Sequence, residues 1–368
     1  MQAAERAAWL RLVLTPGLGP RSARRLLAAF GLPDAVFCAG LAALLRAVPE
    51  PLARELAKPP GPDVQAAADA TEHWLAASTD HALLTLADPQ YPQALLTTPD
   101  PPAVLFAVGR LDLLNRPAVA IVGSRNATQQ GIANAEGFAA ALARAGVTVA
   151  SGLALGIDAA AHRGALSAEG DASTIAVVGT GVDVIYPSSH RALTNEIRAH
   201  GVVLSELPLR TPAIAHNFPR RNRIIAGLAR GVLVVESALR SGSLITARLA
   251  AETGREVFAI PGSIHSPLAR GCHRLIRDGA KLVESAHDVL EDLGVQAANP
   301  ALTPRSSTPG ASSADDPLLV LMGHDPVDLD ALAERSGRTP GELSAALLEL
   351  ELAQHIERLP GNRYQRLR

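Results

Sequence analysis

Short apolar runs alternate with longer segments of helical periodicity between residues 118 and 260. The apolar runs predict strands near residues 119–123, 147–151, 174–179, 202–205, 232–236 and 257–260. The intervening segments predict helices near residues 128–145, 158–169, 190–199, 219–229 and 243–253. Such alternation is typical of a parallel sheet that is covered by helices on both faces. The pattern therefore predicts an α/β fold with a Rossmann-like core.

The segments on either side of this core have different patterns. Residues 1–65 predict short helices, and the Pro-Gly-Leu-Gly turn within residues 14–20 resembles a helix-hairpin-helix turn. Glycine amides in such a turn can contact a phosphate backbone, although many of these turns only pack helices together. Residues 82–110 carry several prolines before a strand, which suits an extended segment at the edge of the sheet.

The C-terminal region divides into a linker and a small domain. Residues 296–316 are rich in Pro, Ser, Ala and Thr without apolar periodicity, so they predict a flexible linker. Residues 317–368 predict a helix, a turn, a helix and a β-hairpin, which is the order of a winged helix. The predicted domains are thus a helical domain at 1–68, the core at 69–295, the linker, and a winged helix at 317–368.

Composition limits the classes of protein that the chain can represent. The chain has 368 residues, a formal net charge of −2 and two cysteines in no metal-binding spacing. This usage indicates a reducing, cytoplasmic environment rather than a disulfide framework. The N-terminus lacks the pattern of a signal peptide, and we expect no membrane span. Because the chain as a whole is not basic, any nucleic-acid site must depend on local positive charge.

Small residues follow three of the predicted strands. The first strand ends in Gly123-Ser124-Arg125, the second in Ser151-Gly152, and Ser241-Gly242-Ser243 follows the strand at 232–236. Glycine allows a ligand to approach the backbone, and free N–H groups at a helix start attract anions. We therefore expect a shared anion-binding rim at the carboxyl ends of the strands, although Ser243 is also suited to capping a helix.

The clearest concentration of positive charge lies between residues 207 and 235. This segment has no acidic residue and contains an aromatic residue, Phe218, beside three of its arginines; all five arginines are Arg210, Arg220, Arg221, Arg223 and Arg230. Arginines that neutralise phosphates and an aromatic ring that stacks on a base are the two parts of a single-strand binding site. The alternative is that Phe218 packs in the core and some arginines hold the loops.

No catalytic set is evident in the sequence. Ser151 does not lie in the nucleophile motif of hydrolases, and the histidines have no partner at triad or metal spacing. Asp158 is better suited to capping a helix than to acting as a base, and Cys272 is better suited to packing than to nucleophilic attack. Neither glycine turn matches a dinucleotide or Walker motif. These features argue against nucleotide hydrolysis and redox chemistry, and we expect no metal or cofactor.

Seven motifs in order make the sequence resemble one family. They are VAIVGSR, SGLALGIDAAAH, YP at 186–187, SE at 205–206, FPRRNRIIAGLARG, SGSLITARLA and AIPGS. Together they are similar to the DNA-processing protein A (DprA, or Smf) family of bacterial transformation proteins. The resemblance covers residues 82–285 continuously, and the flanking segments resemble the family's N-terminal helical (SAM-like) domain and C-terminal winged helix.

The resemblance implies a non-catalytic homodimer that binds single-stranded DNA and loads the recombinase RecA onto it during natural transformation. It implies that Arg125 and the backbone around Ser151, Gly152 and Gly156 bind phosphates, and that Phe218 stacks on a base. The complete set of implied DNA-binding residues is Gly123, Ser124, Arg125, Ser151, Gly152, Gly156, Phe218, Arg220, Asn222, Arg223, Ser241, Gly242, Ser243 and Thr246.

The chain departs from the family pattern at two places. Ala213, Ala215 and His216 stand where a lysine is expected, which leaves one phosphate contact to be supplied by another residue such as Arg210. Cys272-His273 replaces the usual Thr-Asn, so no role is transferred to these positions.

Two other functions remain open. A nucleoside-phosphate hydrolase of the lysine-decarboxylase-like type would need a Pro-Gly-Gly-x-Gly-Thr-x-x-Glu motif, and Pro261-Gly262-Ser263 has no following glutamate. A regulator that binds duplex DNA through the winged helix would have to tolerate Glu342, Glu349 and Glu351 on its second helix. That helix is at least as well suited to a protein contact, with duplex DNA bound weakly or not at all.

Overall fold

The computed structural model describes residues 2–295, 316–323, 326–353 and 355–366. Apart from Asp316, the predicted linker lies outside the described residues. The chain divides into two compact units, of which the larger contains a nine-stranded sheet and the smaller a three-stranded one. Within the described ranges, no helix combines the length and the apolar character needed to cross a membrane.

The N-terminal region is helical, as predicted. Its helices are α1 (Ala3–Leu14), α2 (Pro20–Phe30), α3 (Pro33–Cys38), α4 (Leu41–Ala47), α5 (Glu50–Leu56) and α6 (Pro62–Ala77). Gly17 makes the turn between α1 and α2 with a φ of 78°, a value that favours glycine. Trp9, Leu10 and Leu26 are buried in a cluster that continues onto the sheet. The domain boundary predicted at residue 68 falls inside α6.

The larger sheet is mostly parallel. Its strands are β1 (His81–Thr85), β2 (Val104–Gly109), β3 (Ala118–Val122), β4 (Thr148–Ser151), β5 (Thr174–Val177), β6 (Val202–Ser205), β7 (Gly231–Val234), β8 (Glu256–Ala259) and β9 (Lys281–Leu282). Their order is β1-β2-β6-β5-β4-β3-β7-β8-β9, with β3 to β9 parallel and β1 and β2 antiparallel. The chain thus proceeds outward from β3 in both directions, and such a switch point is where open α/β sheets bind ligands.

Helices cover both faces of this sheet. They are α7 (Gln93–Leu96), α8 (Gln129–Arg144), α9 (Ile157–Leu166), α10 (Arg191–His200), α11 (Asn217–Leu228), α12 (Gly242–Glu252), α13 (Arg270–Arg277) and α14 (Ala286–Asp292). Every residue of β3 to β7 is buried, because helices exclude water from both faces. The Rossmann-like core predicted from the alternating pattern is confirmed, and the six predicted strands are all present within about two residues at each end.

The approach to the core differs from the predicted extended segment. Residues 81–85 form a strand that pairs with β2 in antiparallel register, with Leu83 opposite Phe106. The prolines at 89, 92, 99, 101 and 102 lie in the connection between the two strands and not within either of them. A proline-rich connection of this kind hides the short strand that precedes it from sequence analysis.

The smaller unit is the winged helix predicted from the sequence. It contains α15 (Pro317–Met322), β10 (Val327–Asp328), α16 (Leu329–Ser336), α17 (Pro340–Leu352), β11 (Ile356–Leu359) and β12 (Arg363–Arg366). Thr339 caps α17, and its side chain and that of Glu342 form the predicted capping box. Leu332, Leu343 and Leu347 are fully buried in a separate core.

Candidate nucleic-acid pocket

A cavity of about 400 Å³ opens at the carboxyl ends of the central strands. The exits of β3 and β7, together with the start of α11 and of α12, supply most of its lining. Eight of the residues predicted for DNA binding line it: Gly123, Arg125, Phe218, Asn222, Ser241, Gly242, Ser243 and Thr246. The fold therefore brings together three separate sequence motifs, as expected from parallel strands whose carboxyl ends meet at one edge.

A second cavity of about 60 Å³ adjoins the first. The exits of β4 and β5 line it, including Gly152 and Gly179, together with the Tyr186-Pro187 segment. The two cavities share five lining residues, which are Arg125, Ala154, Tyr186, Phe218 and Arg221. The side chains that sequence analysis divided among four motifs thus form the common wall of two adjoining spaces.

Two aromatic rings form part of this wall. The ring centroids of Tyr186 and Phe218 are 5.3 Å apart, at an angle of 41°. The guanidinium carbon of Arg125 is 5.9 Å from the centroid of the Phe218 ring. Phe218 is half-buried and Tyr186 is 48% exposed, so both rings remain accessible from the cavities and Phe218 is not a core residue. Sequence analysis used Tyr186 only as a family motif and did not assign it to the site.

Arg221 is the arginine of α11 that faces the cavities. Its guanidinium lies against Gly152, where an added Cβ would be 1.8 Å from Nη1. Nη1 donates a hydrogen bond of 2.6 Å to the carbonyl oxygen of Val177, at the end of β5. Burial lowers the pKa of Arg221 to about 10, and the nearby carboxyl of Asp158 opposes that change. The sequence pattern alone could not identify Arg221, since its two arginine neighbours carry the same charge.

Two of the arginines predicted for DNA binding do not line either cavity. Arg223 lies in the first turns of α11 but forms a partly buried ion pair with Glu206 and donates to the carbonyl oxygen of Asp100 over 2.7 Å. Arg220 is exposed and lines a different depression, next to residues of the α1–α2 turn. Because an α-helix has 3.6 residues per turn, the side chains of Arg220 and Arg223 point away from the direction of Arg221, although Arg221 lies between them in sequence. Arg210 lines neither cavity.

Three further predicted residues shape the loops around the cavities without lining them. Ser151 is fully buried, and its hydroxyl donates to the carbonyl oxygen of Ile121 over 2.6 Å. Gly156 has a φ of 74°, and an added Cβ would be 2.3 Å from the carbonyl oxygen of Ser124. The hydroxyl of Ser124 accepts a hydrogen bond from the N–H of Asn126. These contacts tie the exits of β3 and β4 to each other.

Two histidines hold the loop that follows β4. The N–H of Leu153 donates to Nε2 of His162 over 3.2 Å, and Nδ1 of His190 bonds to the Leu153 carbonyl oxygen over 3.1 Å. Leu153 has a φ of 56°, which is unfavourable for a residue with a branched side chain. The histidines that have no catalytic partner in the sequence therefore position the loop containing Gly152.

The capping interactions differ from those predicted. Ser241, and not Ser243, caps α12, because its side chain accepts from the Ser243 N–H. Asp158 is the second residue of α9, where it does not cap the helix; its carboxylate accepts from the N–H of Ala154 over 3.4 Å. Burial raises the pKa of Asp158, and Arg221 opposes this change. Cys272 is fully buried and its pKa is raised to about 12, mainly by burial, so its surroundings suit packing.

Two family models match this chain. The family model described as DNA recombination-mediator protein A matches residues 82–294, and the DprA winged helix domain matches residues 302–362. The chain belongs to the DprA/Smf family. It is 44% identical to the protein Smf of Escherichia coli over 301 residues, covering 80% of this chain and 79% of that protein. It is 50% identical to the DNA processing protein DprA of Streptococcus pneumoniae over 208 residues, covering 56% and 73%.

Solved structures of the family have the same fold. The X-ray structure of DprA from Streptococcus pneumoniae matches with a TM-score of 0.63 at 37% identity, covering 79% of this chain and 98% of that chain. DNA processing protein A from Helicobacter pylori, whose structure was described for its single-stranded DNA binding mode, matches with a TM-score of 0.52 at 31% identity. That match covers 57% of this chain and 95% of the Helicobacter chain. DprA/Smf proteins are involved in DNA processing.

No metal centre accompanies the pocket within the part of the chain that the structure describes. There, no group of three or more His, Cys, Asp or Glu side chains has an arrangement that could hold a metal ion. The polar and aromatic groups that line the two cavities are guanidinium groups, hydroxyls, the amide of Asn222, aromatic rings and one buried carboxyl group.

Proposed function

We propose that this protein binds single-stranded DNA in the pair of adjoining cavities and passes it to RecA without chemical change to the strand. The observation that carries the proposal is the wall formed by Arg125, Tyr186 and Phe218, where a cation and two accessible rings meet at a sheet edge. Aromatic rings stack on the bases of unpaired strands regardless of sequence, while arginines neutralise phosphates. A duplex does not present unstacked bases to such a wall.

The histidine and carboxyl groups near the cavities, which could suggest catalysis, are engaged in contacts within the protein. This engagement agrees with a binding role. His162 uses both ring nitrogens in hydrogen bonds, to the N–H of Leu153 and to the hydroxyl of Thr174. Asp158 is bonded to a backbone amide and lies near the Arg221 charge. The alternative of a nucleoside-phosphate hydrolase would require a free carboxylate at the sugar and would be supported by turnover of nucleoside monophosphates.

The proposed partners are RecA and a second copy of this chain. The family description as a recombination mediator supports RecA as the protein that receives the strand. These partners imply a role in the cytoplasm during natural transformation or homologous recombination. The proposed organisation is a helical domain at 1–68, the DNA-binding core at 69–295, a linker at 296–316 and a winged helix at 317–368.

The winged helix offers a second and weaker nucleic-acid contact. Arg358, Arg363 and Arg366 lie on its β-hairpin, whereas α17 has no lysine or arginine and carries Glu342 and Glu349 at exposed positions. A duplex contact would therefore depend on the hairpin and not on the helix that most winged helices insert into the major groove. The same acidic helix is compatible with a protein contact.

Competition binding tests the main proposal. The purified protein is mixed with labelled oligo-dT and challenged with unlabelled oligo-dT or with duplex DNA of equal length. We expect the single strand to compete at much lower concentration than the duplex. Sedimentation of the same samples counts the subunits, and RecA filament formation on the bound strand is followed in parallel. Equal competition by the two DNAs would contradict the proposal.

A further inference from the structure

Arg221 has hydrogen-bonding capacity that the protein does not use. The side chain is 4% exposed and lines both cavities, so its accessible part faces them. Among the described residues, its one hydrogen bond is that from Nη1 to Val177, and its buried Nε atom has no acceptor. A guanidinium has five N–H donors. The described residues thus provide no acceptor for the buried Nε–H of this group.

Arg223, a partly buried arginine of the same helix, differs in this respect. Arg223 donates to the carbonyl oxygen of Asp100 and to the carboxylate of Glu206, so the protein satisfies its charge and several of its donors. Unsatisfied donors away from water are unfavourable unless another group supplies an acceptor. The environment of Arg221 therefore indicates a missing acceptor, and that of Arg223 does not.

The charges around Arg221 indicate that the missing acceptor is an anion. At a pKa of about 10, Arg221 is cationic at neutral pH despite its burial. Among the described residues, the carboxyl group that offsets the burial of Arg221 is that of Asp158, which also interacts with the N–H of Ala154. Arg125 is near enough to lower the pKa of Arg221 by repulsion between the two cations. An anion bound between the two guanidinium groups would replace this repulsion by two attractions.

We infer that the smaller cavity is a phosphate subsite, in which Arg221 and Arg125 together bind one phosphate of the strand whose base packs on Phe218. The inference rests on the proposed function and adds Arg221 to the residues that the sequence indicates. Arg221 and Arg125 line both this smaller cavity of about 60 Å³ and the adjoining one of about 400 Å³, so a strand that occupies the larger cavity can place a phosphate beside both guanidinium groups. The two shared aromatic rings lie between these spaces.

A scan with methylphosphonates tests this subsite. A series of oligo-dT strands each carries one neutral methylphosphonate in place of a phosphodiester, and each is bound to the wild type and to Arg221→Gln/Asp158→Asn. Removing both charges avoids an unpaired buried carboxylate. We expect one position at which neutralisation weakens binding to the wild type about tenfold and leaves binding to the double variant unchanged. The salt dependence of the variant should also decrease by about 0.7 in log–log slope, the value for one phosphate.

Three controls complete the design. Arg221→Lys keeps the charge and should retain most of the position-specific effect. Arg230→Gln removes an exposed arginine at the amino end of β7, on the opposite edge of the sheet, and should leave the scan unchanged. Strands with and without a 5′-phosphate distinguish a terminal phosphate from an internal one. Thermal unfolding of each variant checks that the fold is kept.

The outcomes separate the two levels of inference. If the wild type fails to prefer oligo-dT over duplex, the proposed function is wrong. If it binds oligo-dT but every methylphosphonate weakens the wild type and the double variant by the same factor, Arg221 does not contact a phosphate and only the subsite is rejected. A position-specific loss confined to the wild type supports the subsite.

Discussion

The backbone N–H of Leu153 and Nε2 of His162 are joined by a hydrogen bond of 3.2 Å inside the core. The hydroxyl of Thr174 donates to the carbonyl oxygen of Val149 and so accepts from Nδ1–H of the same imidazole. This assignment leaves Nε2 unprotonated, as the bond to Leu153 requires. A neutral His162 therefore fixes the loop that carries Gly152 along the smaller cavity.

We expect this arrangement to make stability dependent on pH. The pKa of His162 is lowered to about 3, first by burial and then by Arg221, whereas an unfolded histidine titrates near 6.5. Between these values the unfolded chain binds a proton that the folded chain excludes. The free energy of unfolding should therefore decrease by about 1.4 kcal/mol for each pH unit below about 6, from this one group.

Urea unfolding at several pH values between 7.5 and 4.5 measures this contribution. His162→Gln should lower stability at pH 7.5 but show a shallower decrease on acidification than the wild type. Exposed His265 provides the matched control, since His265→Gln should follow the wild-type slope. Parallel curves for the wild type and His162→Gln would show that the buried imidazole does not set the acid response.

We expect Phe218→Ala to weaken binding of single strands selectively. Loss of a stacking ring costs roughly 1–3 kcal/mol per base, and the half-buried ring of Phe218 faces both cavities. Phe218→Tyr keeps the ring and should retain most of the affinity. Fluorescence anisotropy with oligo-dT and with a duplex of equal length measures both variants. An equal loss on the two DNAs would indicate altered folding in place of lost stacking.

Sequence analysis succeeded where a single strand or turn carries the information. The alternation of apolar runs with helical segments was enough to predict the core, because both faces of β3 to β7 are covered and most of their residues are apolar. The Gly-Ser-Arg and Ser-Gly-Ser turns were placed at the cavity for the same reason, since parallel strands end at one edge.

Sequence analysis missed a residue whose role depends on the direction in which its side chain points from a helix. Arg220, Arg221 and Arg223 are equivalent in charge, and only the rotation of α11 against the sheet decides that Arg221 faces the cavities. The small residues in and near α11 do not form a clear apolar stripe, so the sequence does not predict how this helix is rotated against the sheet. The partner of Arg223 lies 17 positions away at Glu206, a distance that no local pattern reveals.

Because Arg125 and Arg223 lie in different surroundings, we expect their substitution to affect different properties: DNA affinity for Arg125 and stability for Arg223. Arg125→Ala should reduce affinity for oligo-dT and flatten its salt dependence while stability is kept, because Arg125 lines both cavities. Arg223→Ala should instead lower the free energy of unfolding by roughly 3 kcal/mol, because it leaves Glu206 buried without its partner. Urea unfolding and oligo-dT anisotropy on both variants measure the contrast.

The neutral pair Arg223→Gln/Glu206→Gln is the control for that contrast, because it should recover part of the stability lost in Arg223→Ala. The sequence-based prediction that Arg223 contacts DNA remains open to the same experiment. An Arg223→Ala protein that is as stable as the wild type but has a flatter salt dependence would favour a DNA contact over the ion pair with Glu206.

Removal of residues 317–368 should leave the single-strand site intact. The residues that line the two cavities all belong to the larger unit, which has its own sheet and its own buried clusters. The winged helix is likewise built around a separate core. We expect the shortened protein to bind oligo-dT within about twofold of the full chain, and any duplex binding through the hairpin arginines to be lost. Anisotropy with both DNAs and a thermal unfolding curve provide the measurement, and a well-folded but inactive truncation would mean that the C-terminal residues contribute to the site.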